Sequence, residues 1–305
     1  MRKLPETAIE PKEFLKKLQR LSHSHSPHRI FSDWLEIAAI SMHQLPYRSG
    51  ELEQDNNFER LEAQYMERIK PYSKEELAVF GELFGLTASV HQNGFYDFLG
   101  EVAGEASLLS KRGGQFFTPY HLCRAIAKKI FVNVEAQVKE KGGIVTVCEP
   151  AVGAGALVIA SAEEVASQGI DPRAHLQFDC TDVSRDAFNM AYIQLSALGL
   201  QAVVRHGNTL SGEYWEHRPT LQLRLFDRWL TAKREERQRV EAMKAILTGL
   251  CSPELEVPLA DENALPKLPS DTLFDLEQFT APRLSKTRAD KQPDVDLGKQ
   301  MELFA

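Results

Sequence analysis

Residues 113–157 read GGQFFTPYHLCRAIAKKIFVNVEAQVKEKGGIVTVCEPAVGAGAL, and this stretch decides the fold. Thr118-Pro119 predicts a helix start, because a threonine hydroxyl can cap free amides and a proline at the first helical position loses no hydrogen bond. An amphipathic helix follows, then a short apolar run, then the turn Gly153-Ala154-Gly155, which opens into another apolar helix. This order predicts a small-molecule site, because the glycines admit a close ligand and a helix N-terminus presents amides to a carboxylate or phosphate.

Strand-like and helical patterns alternate from Ile144 onward, beyond the end of this stretch. Short β-rich runs (Ile144–Val147, Leu176–Cys180 and Ala202–Arg205) alternate with helical patterns (Ala156–Ser167 and Ser184–Leu198). Such alternation indicates a parallel α/β sheet built from right-handed crossovers. Ligands bind such sheets at the carboxyl ends of the strands.

The flanking regions differ from this α/β segment. Residues 1–110 show helical periodicity, as in the amphipathic stretch Phe31–Leu45, and predict a helical N-terminal domain. A cofactor-binding domain is expected over 111–250, ending in a long helix from Pro219 to Leu250, with a strand at Thr220–Phe226 as the alternative. Residues 251–305 are acidic and proline-rich, which predicts a disordered tail.

Composition narrows the class of protein. The chain has 305 residues, 43% of them hydrophobic and 26% charged, and a net charge of −7, which is typical of a soluble cytoplasmic protein. No apolar run approaches the ~20 residues of a membrane helix. The four cysteines form no CxxC pair and are expected to be buried thiols, and the His-rich stretch 23–28 is interpreted as a solvated turn, so no metal site is assigned.

Acidic residues stand where two predicted strands end. Glu149 directly follows the first strand and could accept a hydrogen bond from an ammonium or hydroxyl group of a ligand. Asp182 ends the next strand, where a carboxylate can accept hydrogen bonds from both ribose hydroxyls of a nucleoside. With the glycine turn, this pairing predicts a nucleoside-containing cofactor.

Four segments together resemble a known family. They are GGQFFTP, VCEPAVGAGAL, FDCTDVSRDAFNMAYIQLSALGL and HGNTL. Their order resembles that of the motifs of adenine-N6 DNA methyltransferases, in particular the modification subunits of type I restriction-modification systems. The resemblance covers roughly residues 90–215. It implies an α/β fold in which an N-terminal helical domain precedes a Rossmann-like methyltransferase sheet, here apparently shortened.

The resemblance also implies a cofactor and its contacts. The cofactor would be S-adenosylmethionine, with Phe117 and Thr118 near the methionine moiety and Asp182 at the ribose. Asn208, where the family usually has Asp, would lie near the adenine. The remaining cofactor-binding positions would be Glu149 and Pro150, which precede the glycine turn, and Gly153 and Gly155 within it.

The catalytic loop of this family is absent from the sequence. Family members hold the target adenine, extracted from the duplex, at an Asn/Asp-Pro-Pro-aromatic loop. The chain contains no Pro-Pro dipeptide. Three hypotheses remain open: the chain binds cofactor and DNA without methylating; it methylates through a diverged loop with Tyr214 or Trp215 as the stacking ring; or a partner, such as a specificity subunit, completes the site.

Two partners follow from these resemblances. The family resemblance implies double-stranded DNA as the substrate, and the basic stretch Arg218–Arg239, with seven Lys/Arg against three acidic residues, is one candidate contact for DNA. The other partner is indicated by Gln300, Met301, Leu303 and Phe304, which resemble a bacterial sliding-clamp-binding peptide. The leading hypothesis is therefore a DNA adenine-N6 methyltransferase, and the alternative is an inactive methyltransferase-like binding module.

Overall fold

The N-terminal part of the molecule is helical. The computed structural model describes residues 11–21, 25–105, 118–225, 238–241 and 243. Before residue 106 it contains α1 (Pro11–Arg20), α2 (Pro27–Arg48), α3 (Asn56–Ile69), α4 (Lys74–Gln92) and α5 (Phe98–Glu105).

Local sequence explains two of these helices. In α2 the apolar stripe that includes Phe31, Trp34 and Leu35 is buried, as its helical spacing predicts. At α4 the Ser73 hydroxyl accepts from the Glu76 amide and the Glu76 carboxylate accepts from the Ser73 amide, which completes a capping box.

A four-stranded sheet with its helices forms the second part. Its elements are α6 (Tyr120–Ile130), α7 (Val134–Glu140), β1 (Val145–Glu149), α8 (Ala156–Ser167), α9 (Pro172–His175), β2 (Leu176–Asp182), α10 (Arg185–Ala197), β3 (Gln201–Asn208) and β4 (Glu213–Pro219). The strand order is β1-β2-β3-β4, with the first three strands parallel and β4 antiparallel to β3. This confirms the predicted α/β class with a short sheet, and it brings the carboxyl ends of β1, β2 and β3 to one edge.

The structure corrects the predictions made from the sequence around β4. The alternative strand at 220–226 is wrong, because the strand lies earlier, at Glu213–Pro219, and residues 221–225 are helical. The long helix predicted from Pro219 therefore begins no earlier than Leu221. The strand forms because Gly212, at φ +72, reverses the chain and lets Tyr214 and Trp215 pair back along β3.

Two smaller expectations are also corrected. Thr118 does not cap α6, because the helix begins at Tyr120 and Pro119 occupies the N-cap position without a side-chain hydrogen bond. Cys123 and Cys180 are buried as expected, but Cys148 is exposed because β1 alternates between inward and outward residues. Cys251 lies outside the described residues.

One apolar core joins the helices and the sheet. The buried residues of this largest cluster range from Phe14 in α1 to Val204 in β3, while Cys123 and Ala127 of α6 pack in a smaller cluster with α8. The expected domain boundary at 110/111 falls in a range that is not described, so it stays a prediction. Among the helices of the described ranges, none combines the length and apolar composition that crossing a bilayer requires.

A buried ion-pair network reinforces this junction. Glu36 in α2 accepts hydrogen bonds from Arg185 Nε at 2.7 Å, Arg218 Nη2 at 3.1 Å and Asn189 Nδ2 at 2.9 Å. These bonds and the two positive charges hold the pKa of Glu36 well below its usual range, although burial opposes the shift. The network thus links α2, α10 and β4.

Candidate functional site

The glycine turn after β1 has a backbone that only glycine adopts easily. Gly153 has φ +57 and Gly155 has φ +105, both in the left-handed region. Gly155 is the N-cap of α8, and no side chain caps that helix. The turn therefore presents backbone, not side chains, to the space above the strand ends.

Three hydrogen bonds connect this turn to the neighbouring strand β2 and helix α10. The amide of Gly153 donates to Asp182 Oδ2 at 2.8 Å, and the amide of Val152 donates to the Thr181 carbonyl at 2.9 Å. The side-chain amide of Gln194 donates to the Ala154 carbonyl at 2.8 Å. The turn is thus fixed to β2 and to α10.

Gln194 is itself held by a buried acid, Asp97. Its Nε2 also donates to Asp97 Oδ1 at 2.8 Å, and its Oε1 accepts from the Leu99 amide at 3.0 Å. Both side chains are buried, and burial raises the pKa of Asp97 while the hydrogen bond from Gln194 opposes that shift. Gln194 therefore joins the start of α5 to the glycine turn.

A cavity of about 460 Å³ opens above the turn, within the size range of small-molecule sites. Six of the predicted cofactor positions line it: Thr118, Glu149, Pro150, Gly153, Asp182 and Asn208. Gly155 shapes the turn but does not line the cavity, and Phe117 lies outside the described residues. Sequence patterns missed the apolar part of the lining, which includes Ile126, Leu157, Val183 and Leu210.

Polar groups converge on this cavity from all three parallel strands. Asp182 Oδ1 accepts from the Ser184 amide at 2.8 Å, and Glu149 Oε1 accepts from the Ala151 amide at 3.1 Å. A carboxylate has about four lone-pair sites, so these bonds orient the acids and leave capacity for a ligand. Asn208 Oδ1 accepts from the Leu210 amide at 3.0 Å, which fixes the side chain at the end of β3.

Cys123 lines the cavity but cannot serve as a ready nucleophile. Burial, with smaller contributions from the charges of Asp97 and Glu149, raises the pKa of its thiol to about 11. A thiol with that pKa is protonated near neutral pH. Its apolar contacts are with Ala156 and Ala160 of α8, so its role is to join α6 to the wall of the cavity.

The structure does not bring the two aromatic candidates into the cavity. The Tyr214 ring lies under the Arg205 guanidinium at 5.4 Å, and the Trp215 ring is edge-on to His206 at 4.8 Å. Both rings are about half exposed, and neither lines the cavity. Nor does any group of His, Cys, Asp and Glu in the described ranges have the arrangement of a metal site.

Comparison with known proteins connects this site with a family. Residues 95–228 match the N-6 DNA methylase family model, and the match includes every residue that lines the cavity. S-adenosylmethionine, expected from the sequence, is the methyl donor that this match implies. No curated protein matches the chain.

A solved structure from Listeria monocytogenes, provisionally assigned as a class I S-adenosylmethionine-dependent methyltransferase, also aligns with the chain. It is 13% identical, with a TM-score of 0.31 over 67% of this chain and 55% of the other chain. This likeness is too distant to inform the chemistry. The cavity-bearing segment, residues 95–228, is identified by the family model as similar to the N-6 DNA methylases.

Proposed function

We propose that this chain is an S-adenosylmethionine-dependent methyltransferase that acts on adenine N6 in DNA. The observation that carries the proposal is the coincidence of the N-6 DNA methylase match with a cavity built on the ends of three parallel strands. The expected restriction-modification role and cytoplasmic location belong to the same proposal.

The residues of the cavity fit this cofactor. Asp182 would accept from the ribose hydroxyls, while Glu149 would accept from the ammonium group of the methionine moiety. Thr118 would lie near that moiety, and Asn208 near the adenine. Gly153 has no side chain, so a ligand could approach its backbone closely, and its φ of +57 favours glycine at this position. When bound, the cofactor would supply an electrophilic methyl group, and the protein would orient it and exclude water.

The test uses the purified full-length chain, labelled cofactor and double-stranded DNA of varied sequence. The proposal expects label in N6-methyladenine, detected by mass spectrometry of the digested DNA, and loss of that label in Asp182→Ala. Cofactor binding without label in any DNA would overturn the methyltransferase proposal for the isolated chain.

A second candidate is a binding module that holds cofactor without completing the reaction alone. Two observations favour it: the sequence has no Pro-Pro dipeptide, and Tyr214 and Trp215 stand away from the cavity. A completing partner such as a specificity subunit would then supply the missing loop. Robust turnover by the isolated chain would exclude this candidate.

Two arginines of the proposed DNA-contacting stretch have partners within the fold. Arg218, the first residue of the basic stretch, is buried against Glu36 and Glu216, and Arg224 donates to the His43 carbonyl at 2.6 Å. These two arginines are committed to the fold. A DNA contact within Arg218–Arg239 would therefore fall to the basic residues after 225, of which all but Arg239 lie outside the described residues. The sliding-clamp-binding peptide expected at 300–304 also lies outside them and remains a proposal.

A further inference from the structure

Helix α6 has two adjoining apolar stripes, and among the residues that the structure describes only one of them is covered. Cys123 and Ala127 are buried against α8. Leu122, Ile126 and Ile130 recur every four residues on the neighbouring side and remain 47%, 42% and 49% exposed. An exposed apolar stripe of this kind is typical of an interaction surface.

The charges beside this exposed stripe are positive. Lys128 and Lys129 are exposed on the same helix, which has no acidic residue. Arg124 is paired with Glu163 of α8 at 3.0 Å. A second copy of the chain packed symmetrically on this face would set lysines against lysines, and DNA would leave the apolar stripe unburied. The surface fits a segment that is both apolar and acidic.

The chain contains such a segment. Residues 268–282 read LPSDTLFDLEQFTAP, with three acidic residues and no lysine, arginine or histidine. Four large apolar residues are interspersed with the acids, namely Leu273, Phe274, Leu276 and Phe279. The segment therefore complements the exposed face of α6 in both charge and hydrophobicity.

We propose that residues 271–279 bind intramolecularly to the face of α6 formed by Leu122, Ile126 and Ile130. Residues 244–270 connect this segment to the last described residue and can span roughly 90 Å when extended, so the connection allows the contact. A tethered segment acts at an effective concentration in the millimolar range, which lets a modest apolar contact form.

A charge exchange tests the contact in the full-length chain without cofactor. In wild type, amide hydrogen exchange over 271–279 should be at least tenfold slower than in Lys128→Glu/Lys129→Glu. Combining that variant with Asp271→Lys/Asp275→Lys should restore the protection, because the charges are again opposite. Lys139→Glu/Lys141→Glu makes an equal charge change at the C-terminal end of α7, where both lysines are exposed, and should leave the exchange of 271–279 unchanged.

Three results would overturn the inference. One is exchange of 271–279 at the rate of an unstructured peptide in wild type. Another is protection that the α7 control removes as effectively as the α6 variant. The third is protection that rises with protein concentration or appears only with added DNA, which would assign the α6 face to a second copy or to DNA. Because the assay contains no cofactor and measures no turnover, its outcome is independent of the proposed methyltransferase activity.

Discussion

Gln194→Met should separate the glycine turn from the core beneath it. The Gln194 side chain is fully buried, and it hydrogen-bonds to Asp97, the Leu99 amide and the Ala154 carbonyl. Methionine has a similar length and flexibility, so the substitution removes these bonds with little change in volume. The expected effects are a less stable protein and a less ordered turn.

The magnitude follows from the partners left behind. Three buried groups lose a partner, although Asp97 Oδ1 retains its bond from the Gly100 amide at 3.2 Å. The Leu99 amide and the Ala154 carbonyl are left unsatisfied at about 1–3 kcal/mol each, so a loss of at least ~2 kcal/mol in the free energy of unfolding is expected. Domains are stable by roughly 5–15 kcal/mol, and the variant should therefore still fold at low temperature.

Urea unfolding and calorimetric titration with S-adenosylmethionine measure the two effects. The matched control is Gln201→Met: Gln201 is also buried, accepts from Gln177 at 2.9 Å and donates to the Arg173 carbonyl at 2.7 Å, but it lies at the other end of the sheet. Both variants should lose stability. Only Gln194→Met should raise the dissociation constant, by about tenfold, as expected for one lost ~1.4 kcal/mol interaction. Equal effects on the dissociation constant would refute the role of Gln194.

Three further predictions concern single groups. Asp182→Ala should raise the calorimetric dissociation constant for S-adenosylmethionine at least tenfold, since charge-assisted hydrogen bonds contribute about 1.5–3 kcal/mol each; an unchanged value would move the site elsewhere. Glu36→Gln should lower the unfolding free energy by about 1.5–3 kcal/mol in urea, because Arg218 and Arg185 lose the Glu36 charge and keep only that of Glu216; a loss below ~1 kcal/mol would contradict this. Burial lowers the pKa of His91 to about 4, so on acidification the unfolded chain binds this proton before the folded chain does. The free energy of unfolding should therefore fall as the pH decreases from 6.5 to 4. His91→Leu should make the free energy of unfolding depend less on pH in this range, and an unchanged pH dependence would contradict the assignment to His91.

The helices and the parallel strands could be predicted because their signals are local. The apolar spacing of α2 and the capping box of α4 lie within one helix each. In contrast, β4 has no alternating apolar pattern, and it exists because it pairs with β3 across a bulge at Gly207. A Cβ on Gly207 would come within 2.4 Å of the Glu213 carbonyl oxygen, so only glycine allows this approach. Periodicity carries no information about such a contact.

The sequence alone determined the α/β class, the glycine turn and the acids at the strand ends, because these depend on residue types at fixed local spacing. Only the tertiary structure decided which residues support the turn and which face remains open. Gln194 and Asp97 are ordinary polar residues in a helical pattern until folding buries them together, 97 residues apart in the chain. Leu122, Ile126 and Ile130 belong to an amphipathic pattern in the sequence, but within the described residues α8 buries only the adjoining stripe of α6, which contains Cys123 and Ala127.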